Sequence, residues 1–273
     1  MLSSKATCLR FIVASFAALC ASSVVLAQPT RVALVIGNSM YPGASRLDNP
    51  VRDASAMAGK LQELGFAVEL KVDQTAAEMR AAIARFYRTS AGKDGTLLYF
   101  AGHGKQARGV NVLLPIDVAL SQGGALRTAD DLLQRAVALD EVVDMAAKAG
   151  SAWNLVIVDA CRDDVRAARN WGGAPGFAPV AAPSGTLLAF ATAPGALAKE
   201  GAPGTNGLYT THLLTHLATP DLPVELMFKR VRAAVIAAST ATGNPQVPWE
   251  STSLVGDLSL APTRSAAPVA TSR

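Results

Sequence analysis

The sequence predicts an α/β domain of three layers, in which a mainly parallel sheet of about six strands carries helices on both faces. Strand-like stretches alternate along the chain with stretches of helical period. The strand candidates at 31–36, 95–101 and 155–158 are apolar at nearly every position. A strand without a polar face is covered on both sides, which is typical of parallel sheets joined by helical crossovers.

Turn and capping residues mark where these elements begin and end. Asn49 and Pro50 favour a helix start, Gly65 favours its stop, and Thr75 with Glu78 forms a capping-box signature. Strands are predicted at 31–36, 66–72, 95–101 and 112–114, in the run that ends at Cys161, and at 185–192. Helices are predicted from Pro50 up to Gly65, after Thr75, and at 139–149, 209–218 and 223–238. Residues 162–184 show no period and predict a long loop.

The first 27 residues have the pattern of a signal peptide. Lys5 and Arg10 form a basic start, residues 11–26 are mostly apolar, and Val25-Leu26-Ala27 precedes the predicted cleavage before Gln28. An uncleaved membrane anchor is the alternative. We therefore expect export to a periplasm or to the outside of the cell, with no stable membrane insertion after cleavage.

Charge and cysteine count narrow the class of protein further. The formal charge of the whole chain is +4, and loss of Lys5 and Arg10 brings it to +2. Such a balance does not favour nucleic acid or an anionic membrane as a partner. After cleavage Cys161 is the single cysteine, so no internal disulfide forms. An unpaired thiol in an oxidising compartment suggests a chemical role, although a buried cysteine that packs as a small apolar residue is the common alternative.

Two predicted strands each end in a reactive side chain. The run Leu97–Ala101 ends in Gly102-His103-Gly104, and Cys161 follows 58 residues after the histidine. The carboxyl ends of parallel strands are where active sites form, and a thiol needs a nearby imidazole to become a nucleophilic thiolate. The N–H of Gly104 is a candidate oxyanion-hole donor, together with that of Cys161. An incidental histidine in a glycine turn is the alternative explanation.

The segments 99–104 (Tyr-Phe-Ala-Gly-His-Gly) and 158–162 (Val-Asp-Ala-Cys-Arg) resemble the catalytic signature of the caspase and metacaspase peptidases. Residues 33–38 and 47–54 resemble the first strand and helix of the same family, and the likeness runs from about residue 31 to 192. The resemblance implies the caspase–hemoglobinase fold, His103 and Cys161 as the catalytic dyad, and no cofactor or metal for bond cleavage. Some metacaspases require calcium for activation. Calcium activation of this chain stays an open alternative, although no calcium-binding loop is recognisable in the sequence.

The residue two positions before the cysteine sets this chain apart from the caspases. Caspases have glutamine there, whereas Asp159 resembles metacaspases and paracaspases, which cleave after Arg or Lys. Asp53 aligns with a second acidic pocket residue of metacaspases. Two carboxylates can bind a guanidinium by charge-assisted hydrogen bonds. The alternatives are a first-turn acid favoured by the helix dipole for Asp53 and a strand-end cap for Asp159.

We predict three segments: the signal peptide 1–27, a caspase-like peptidase domain 28–260 and a disordered tail 261–273. The predicted function is an exported endopeptidase that acts on a protein or peptide substrate with a basic residue before the scissile bond. A hydrolase of another amide or acyl substrate and a catalytically silent binding scaffold are the alternatives. Arg166 and Arg169 predict self-cleavage in the loop after Cys161. The oligomeric state stays open.

A second histidine pair lies outside this pattern. His212 and His216 are four residues apart on a predicted helix, a spacing that can bind zinc. The glutamate of the metalloprotease motif and a third ligand are missing from the sequence around them. We therefore expect packing and surface roles for this pair.

Overall fold

The computed structural model describes residues 30–118, 128–160, 176–196, 198, 201, 204–241, 243 and 245–263. The predicted signal peptide, Cys161 with the segment up to 175, and the tail from 264 lie outside the described residues. The strands are β1 (Arg31–Gly37), β2 (Ala67–Val72), β3 (Gly95–Ala101), β4 (Gly104–Ala107), β5 (Val110–Leu113), β6 (Val137–Ala138), β7 (Trp153–Asp159), β8 (Thr186–Phe190) and β9 (Trp249–Thr252). The helices are α1 (Pro50–Glu63), α2 (Ala76–Arg88), α3 (Ala129–Arg135), α4 (Leu139–Ala147), α5 (Leu208–Leu217) and α6 (Val224–Thr240).

The main sheet has six strands in the order β2-β1-β3-β7-β8-β9. The first five strands are parallel and β9 joins antiparallel at one edge. Apolar side chains alternate between the two faces of this sheet. One face packs against α1, α5 and α6, and the other against α2 and α4. The predicted three-layer architecture is confirmed.

The first helix is held close to the sheet by a glycine. A Cβ on Gly37, the last residue of β1, would lie 2.5 Å from the carbonyl oxygen of Pro50 in the first turn of α1. Asn49 occupies the N-cap position, but its side chain makes no capping hydrogen bond. With its amide oriented so that both groups are satisfied, Asn49 instead donates to the Thr205 carbonyl at 3.2 Å and accepts from the Gly201 N–H at 3.1 Å. Thus Asn49 connects the start of α1 to the segment before α5.

Several short elements of the described residues were not predicted from the sequence. They include β4, β6, α3, β9 and a 3-10 helix at Gly43–Ser45, of two to seven residues each. Strands β4, β5 and β6 form a separate antiparallel sheet, so the Gly-His-Gly turn leads directly into a strand instead of a loop. These elements are too short for a hydrophobic period to stand out, and β9 is a half-exposed edge strand with a mostly polar sequence.

Candidate active site

Strands β3 and β7 end side by side. They are parallel neighbours with Ala101 opposite Asp159, and the N–H of Gly102 donates to the Asp159 carbonyl at 3.3 Å. Neighbouring strands lie about 4.8 Å apart, so the turn with His103 leaves the sheet next to the segment that leads to Cys161. Cys161 itself lies outside the described residues, and its contact with His103 stays a prediction.

The imidazole of His103 is buried, with 7% of the residue exposed. Its Nε2 lies 2.7 Å from the carbonyl oxygen of Ser45, in the loop between β1 and α1. Because a carbonyl can only accept a hydrogen bond, Nε2 carries the proton, and in the neutral ring Nδ1 is then the acceptor nitrogen. That is the form of the ring that can take a proton from a thiol.

Gly104 lies against the residue that precedes Cys161. A Cβ on Gly104 would stand 3.0 Å from the Cβ of Ala160 and 2.3 Å from Cζ of Phe177, so only glycine fits there. The N–H of Leu114 donates to the His103 carbonyl at 3.0 Å, which makes these two residues a hydrogen-bonded pair of the small sheet. Antiparallel pairs alternate, so the N–H of Gly104 points away from β5. This direction suits an oxyanion-hole donor, and that role stays a prediction.

The two predicted pocket acids are both buried, Asp53 at 1% and Asp159 at 5% exposure. Oδ1 of Asp53 accepts from the N–H of Gly207 at 2.9 Å. Oδ2 of Asp159 accepts from the hydroxyl of Thr210 at 2.7 Å. Asp53 therefore connects α1 to the residue before α5, and Asp159 connects the end of β7 to α5 itself.

A buried tyrosine lies close enough to both carboxylates for their charges to act on its hydroxyl. The pKa of the Tyr99 hydroxyl is raised well above its usual range, mainly by burial and then by the negative charges of Asp159 and Asp53. The Tyr99 hydroxyl lies 2.6 Å from Oγ1 of Thr210. Since the hydroxyl hydrogen of Thr210 goes to Asp159, Tyr99 donates to Thr210. The result is a chain of hydrogen bonds from Tyr99 through Thr210 to the Asp159 carboxylate.

Sequence reasoning missed four residues of this region: Tyr41, Ser45, Tyr99 and Thr210. Ser45 contributes a backbone carbonyl, which no residue type signals. Tyr99 belongs to a predicted strand and to the family-like segment 99–104, but no hydrogen-bonding role was predicted for it; its signal is that a tyrosine in a fully buried strand needs a hydrogen-bond partner. Thr210 lies 51 residues after Asp159, and only the packing of α5 on the sheet brings the two together.

The histidine pair behaves as a surface feature. His212 and His216 lie on α5 as predicted, and both are partly exposed. Their pKa values are lowered by partial burial, with a further contribution from the neighbouring positive group, His216 or Arg230 respectively. In the described ranges, no cluster of three or more His, Cys, Asp or Glu residues could hold a metal ion. No helix in this part of the chain is long and apolar enough to cross a membrane.

The described part of the site is thus a histidine turn beside the end of β7, and in the sequence a cysteine follows that strand end by two residues. The family model of the caspase domain matches residues 30–259, and the chain belongs to this family. The fold agrees, because caspase-1 from Spodoptera frugiperda superimposes with a TM-score of 0.62 at 17% identity, covering 86% of this chain and 91% of the other.

Curated relatives match over a shorter stretch. The human mucosa-associated lymphoid tissue lymphoma translocation protein 1 is 36% identical over 87 residues, which is 32% of this chain and 11% of that protein. Its mouse homologue is 34% identical over 87 residues, 32% of this chain and 10% of the relative. The matched stretch therefore spans about a tenth of these relatives.

Proposed function

We propose that this protein is an exported cysteine endopeptidase that uses His103 and Cys161 and cleaves after arginine or lysine. The observation that carries the proposal is the pair of buried carboxylates, Asp53 and Asp159, next to the strand ends from which His103 and Cys161 emerge. A buried carboxylate is costly without a cation or hydrogen-bond donors. Each acid already has a hydrogen-bond donor, and a substrate guanidinium or ammonium would add a positive charge that attracts both carboxylates.

The dyad works by acyl transfer. Nδ1 of His103 takes the proton of the Cys161 thiol, and the thiolate attacks the scissile carbonyl carbon. The carbonyl oxygen becomes an oxyanion that accepts from the N–H groups of Gly104 and Cys161. The imidazolium then protonates the leaving amine as the C–N bond breaks, which leaves a thioester. Water, deprotonated by the imidazole, hydrolyses the thioester and frees the thiol.

Substrate choice follows from the acidic pair. Arginine offers five donors in a planar fork that suits carboxylates, and lysine offers a compact ammonium group. Oδ2 of Asp159 and Oδ1 of Asp53 already accept bonds from Thr210 and Gly207, which fixes the two side chains before substrate arrives. An acidic substrate side chain would be repelled from the same pocket.

The experiment compares fluorogenic peptides that end in Arg, Lys, citrulline or Asp before the reporter, with and without calcium. We expect cleavage of the Arg and Lys peptides, none in Cys161→Ala and His103→Ala, and loss of the preference for Arg over citrulline in Asp53→Asn and Asp159→Asn. Asp144→Asn is a matched control, because Asp144 is an exposed acid on α4, which packs on the opposite face of the sheet.

Other outcomes contradict parts of the proposal. Cleavage after Asp overturns the assignment of the two acids. Turnover of small amides or esters without peptide cleavage favours the non-peptide hydrolase. No turnover of any of these compounds, with or without calcium, favours the binding scaffold.

Export and self-processing are tested separately. N-terminal sequencing of the protein from the periplasm or medium of an expressing bacterium is expected to start at Gln28, and recovery of the intact chain in the membrane fraction contradicts cleavage. Self-cleavage at Arg166 or Arg169 gives two fragments that are absent from Cys161→Ala. A fully active preparation that stays one intact band removes the self-cleavage proposal.

A further inference from the structure

We propose that Tyr41 is a positioning residue for His103, whose backbone and imidazole it holds from the loop between β1 and α1. This inference rests on the proposed catalytic role of His103. It concerns a residue outside the proposed dyad and acidic pair, and it is tested by how the histidine is held.

The hydroxyl of Tyr41 replaces one bond of the β4–β5 ladder. His103 and Leu114 face each other across the ladder, and the N–H of Leu114 donates to the His103 carbonyl at 3.0 Å. In a regular antiparallel pair the N–H of His103 would donate back to the Leu114 carbonyl. Here it donates instead to the Tyr41 hydroxyl at 3.0 Å, and that hydroxyl donates to the Leu114 carbonyl at 2.8 Å. The hydroxyl therefore sets the spacing between the His103 backbone and β5.

The ring of Tyr41 also contacts the imidazole. The two ring centroids are 4.5 Å apart and the planes meet at 64°, an edge-to-face contact. Tyr41 is buried, so its ring cannot leave this position without opening the loop. One side chain thus fixes both the backbone and the ring plane of His103.

The glycine before the histidine makes room for this hydroxyl. A Cβ on Gly102 would lie 2.6 Å from the Tyr41 hydroxyl oxygen and 2.9 Å from Cζ of Phe100. The first glycine of the Gly-His-Gly motif is therefore required by the approach of Tyr41. The second, Gly104, is required by Phe177.

The loop that carries Tyr41 is itself fixed. The carboxylate of Asp73 accepts from the N–H groups of Ser39 at 2.7 Å and Met40 at 2.9 Å. The side chain of Asn38 donates to the same Leu114 carbonyl at 3.1 Å and accepts from the N–H of Gln74 at 2.9 Å. These bonds anchor the loop to the β2–α2 connection on one side and to the end of β5 on the other.

The same loop supplies the Ser45 carbonyl that binds Nε2 of His103. Residues 41–45 therefore hold the histidine at its backbone N–H, its ring edge and Nε2. Without the Tyr41 hydroxyl, the N–H of His103 and the carbonyl of Leu114 would close the ladder directly and draw the histidine toward β5. A shift of about 1 Å in a catalytic group can lower a rate by about 100-fold.

The test uses Tyr41→Phe, which keeps the ring and removes the hydroxyl. Tyr87→Phe is the matched control, because Tyr87 is a buried residue of α2 whose hydroxyl has no hydrogen-bond partner among the described residues. On the Arg peptide we expect kcat to fall about 10- to 100-fold in Tyr41→Phe with KM within about twofold, and no change in Tyr87→Phe. If Tyr41 had only a structural role, Tyr41→Phe would lower the fraction of active molecules without changing kcat per active site. The concentration of active sites is therefore titrated with an irreversible thiol reagent.

A second readout is independent of activity. The chain has three histidines, so ¹⁵N-histidine labelling gives few NMR signals. The signals that disappear in His103→Gln are those of His103. In Tyr41→Phe we expect the His103 backbone and side-chain signals to shift and its amide to exchange faster with D2O, while His212 and His216 stay unchanged. Asp73→Asn, which weakens the loop anchor, should give the same changes with smaller amplitude and carries the test if Tyr41→Phe does not fold.

The outcomes separate the two proposals. Unchanged His103 signals together with unchanged kcat in Tyr41→Phe overturn the positioning role. A wild-type protein that cleaves no peptide overturns the proposed function, and the NMR signals then still decide whether Tyr41 holds His103. Equal effects in Tyr41→Phe and Tyr87→Phe also contradict the inference, because they would reflect a general loss of packing.

Discussion

Replacing Thr210 with valine tests the buried chain of hydrogen bonds behind the acidic pair. Thr210 is fully buried, and its hydroxyl donates to Asp159 at 2.7 Å and lies 2.6 Å from the Tyr99 hydroxyl. Valine has nearly the same shape and the same stiff χ1, so the change leaves little cavity or strain. What it removes is one donor to the Asp159 carboxylate and the acceptor of Tyr99.

The expected loss of stability follows from these two bonds. A hydrogen bond to a charged group contributes about 1.5–3 kcal/mol, and a buried donor left without an acceptor costs about 1–3 kcal/mol. Together they lower the free energy of unfolding by about 2.5–6 kcal/mol, or the melting temperature by roughly 5–24 °C for a domain of this size. Because Tyr99→Phe removes the donor that valine would strand, adding it to Thr210→Val should restore about 1 kcal/mol.

Urea unfolding followed by tryptophan fluorescence measures all three variants. Thr215→Val is the matched control on the same helix, since its exposed hydroxyl donates to the Thr211 carbonyl of its own helix, and a change within about 0.5 kcal/mol is expected. A loss below about 0.5 kcal/mol in Thr210→Val, or strict additivity with Tyr99→Phe, would refute the reasoning. If Asp159 binds the substrate cation, Thr210→Val also raises KM for the Arg peptide more than for citrulline.

Two further predictions concern packing and pH. Gly37→Ala puts a Cβ 2.5 Å from the Pro50 carbonyl oxygen and should lower the free energy of unfolding by about 1–3 kcal/mol. Gly59→Ala, in open space on α1, should instead raise the free energy of unfolding by about 0.5–1 kcal/mol. Chemical denaturation measures both variants, and equal effects would contradict a clash at Gly37. The lowered pKa values of His212 and His216 mean that the unfolded chain binds protons more readily, so stability should fall as pH drops below about 6.5. Replacing both histidines with glutamine should reduce the loss of unfolding free energy between pH 7.5 and 5. An unchanged dependence of stability on pH would contradict this prediction.

The sequence alone determined the elements that depend on neighbouring residues. Strands β1, β3 and β7 follow from apolar runs, α2 from a capping box that the structure contains, and the start of α1 from Pro50. These signals are local, because backbone geometry and side-chain burial repeat within a few residues. The strand ends that carry His103 and the segment before Cys161 were predictable for the same reason, since parallel strands bring their carboxyl ends to one edge.

Only the tertiary structure decided how the site residues are held. The protonated nitrogen of His103 is set by a carbonyl 58 residues away, its backbone by the hydroxyl of Tyr41, and the Asp159 carboxylate by Thr210 on a helix that packs against the sheet. The short strand β6 and the antiparallel edge strand β9 likewise depend on partners distant in the chain. A residue's type fixes which bonds it can make, whereas the partner is chosen by which surfaces the folded chain buries together.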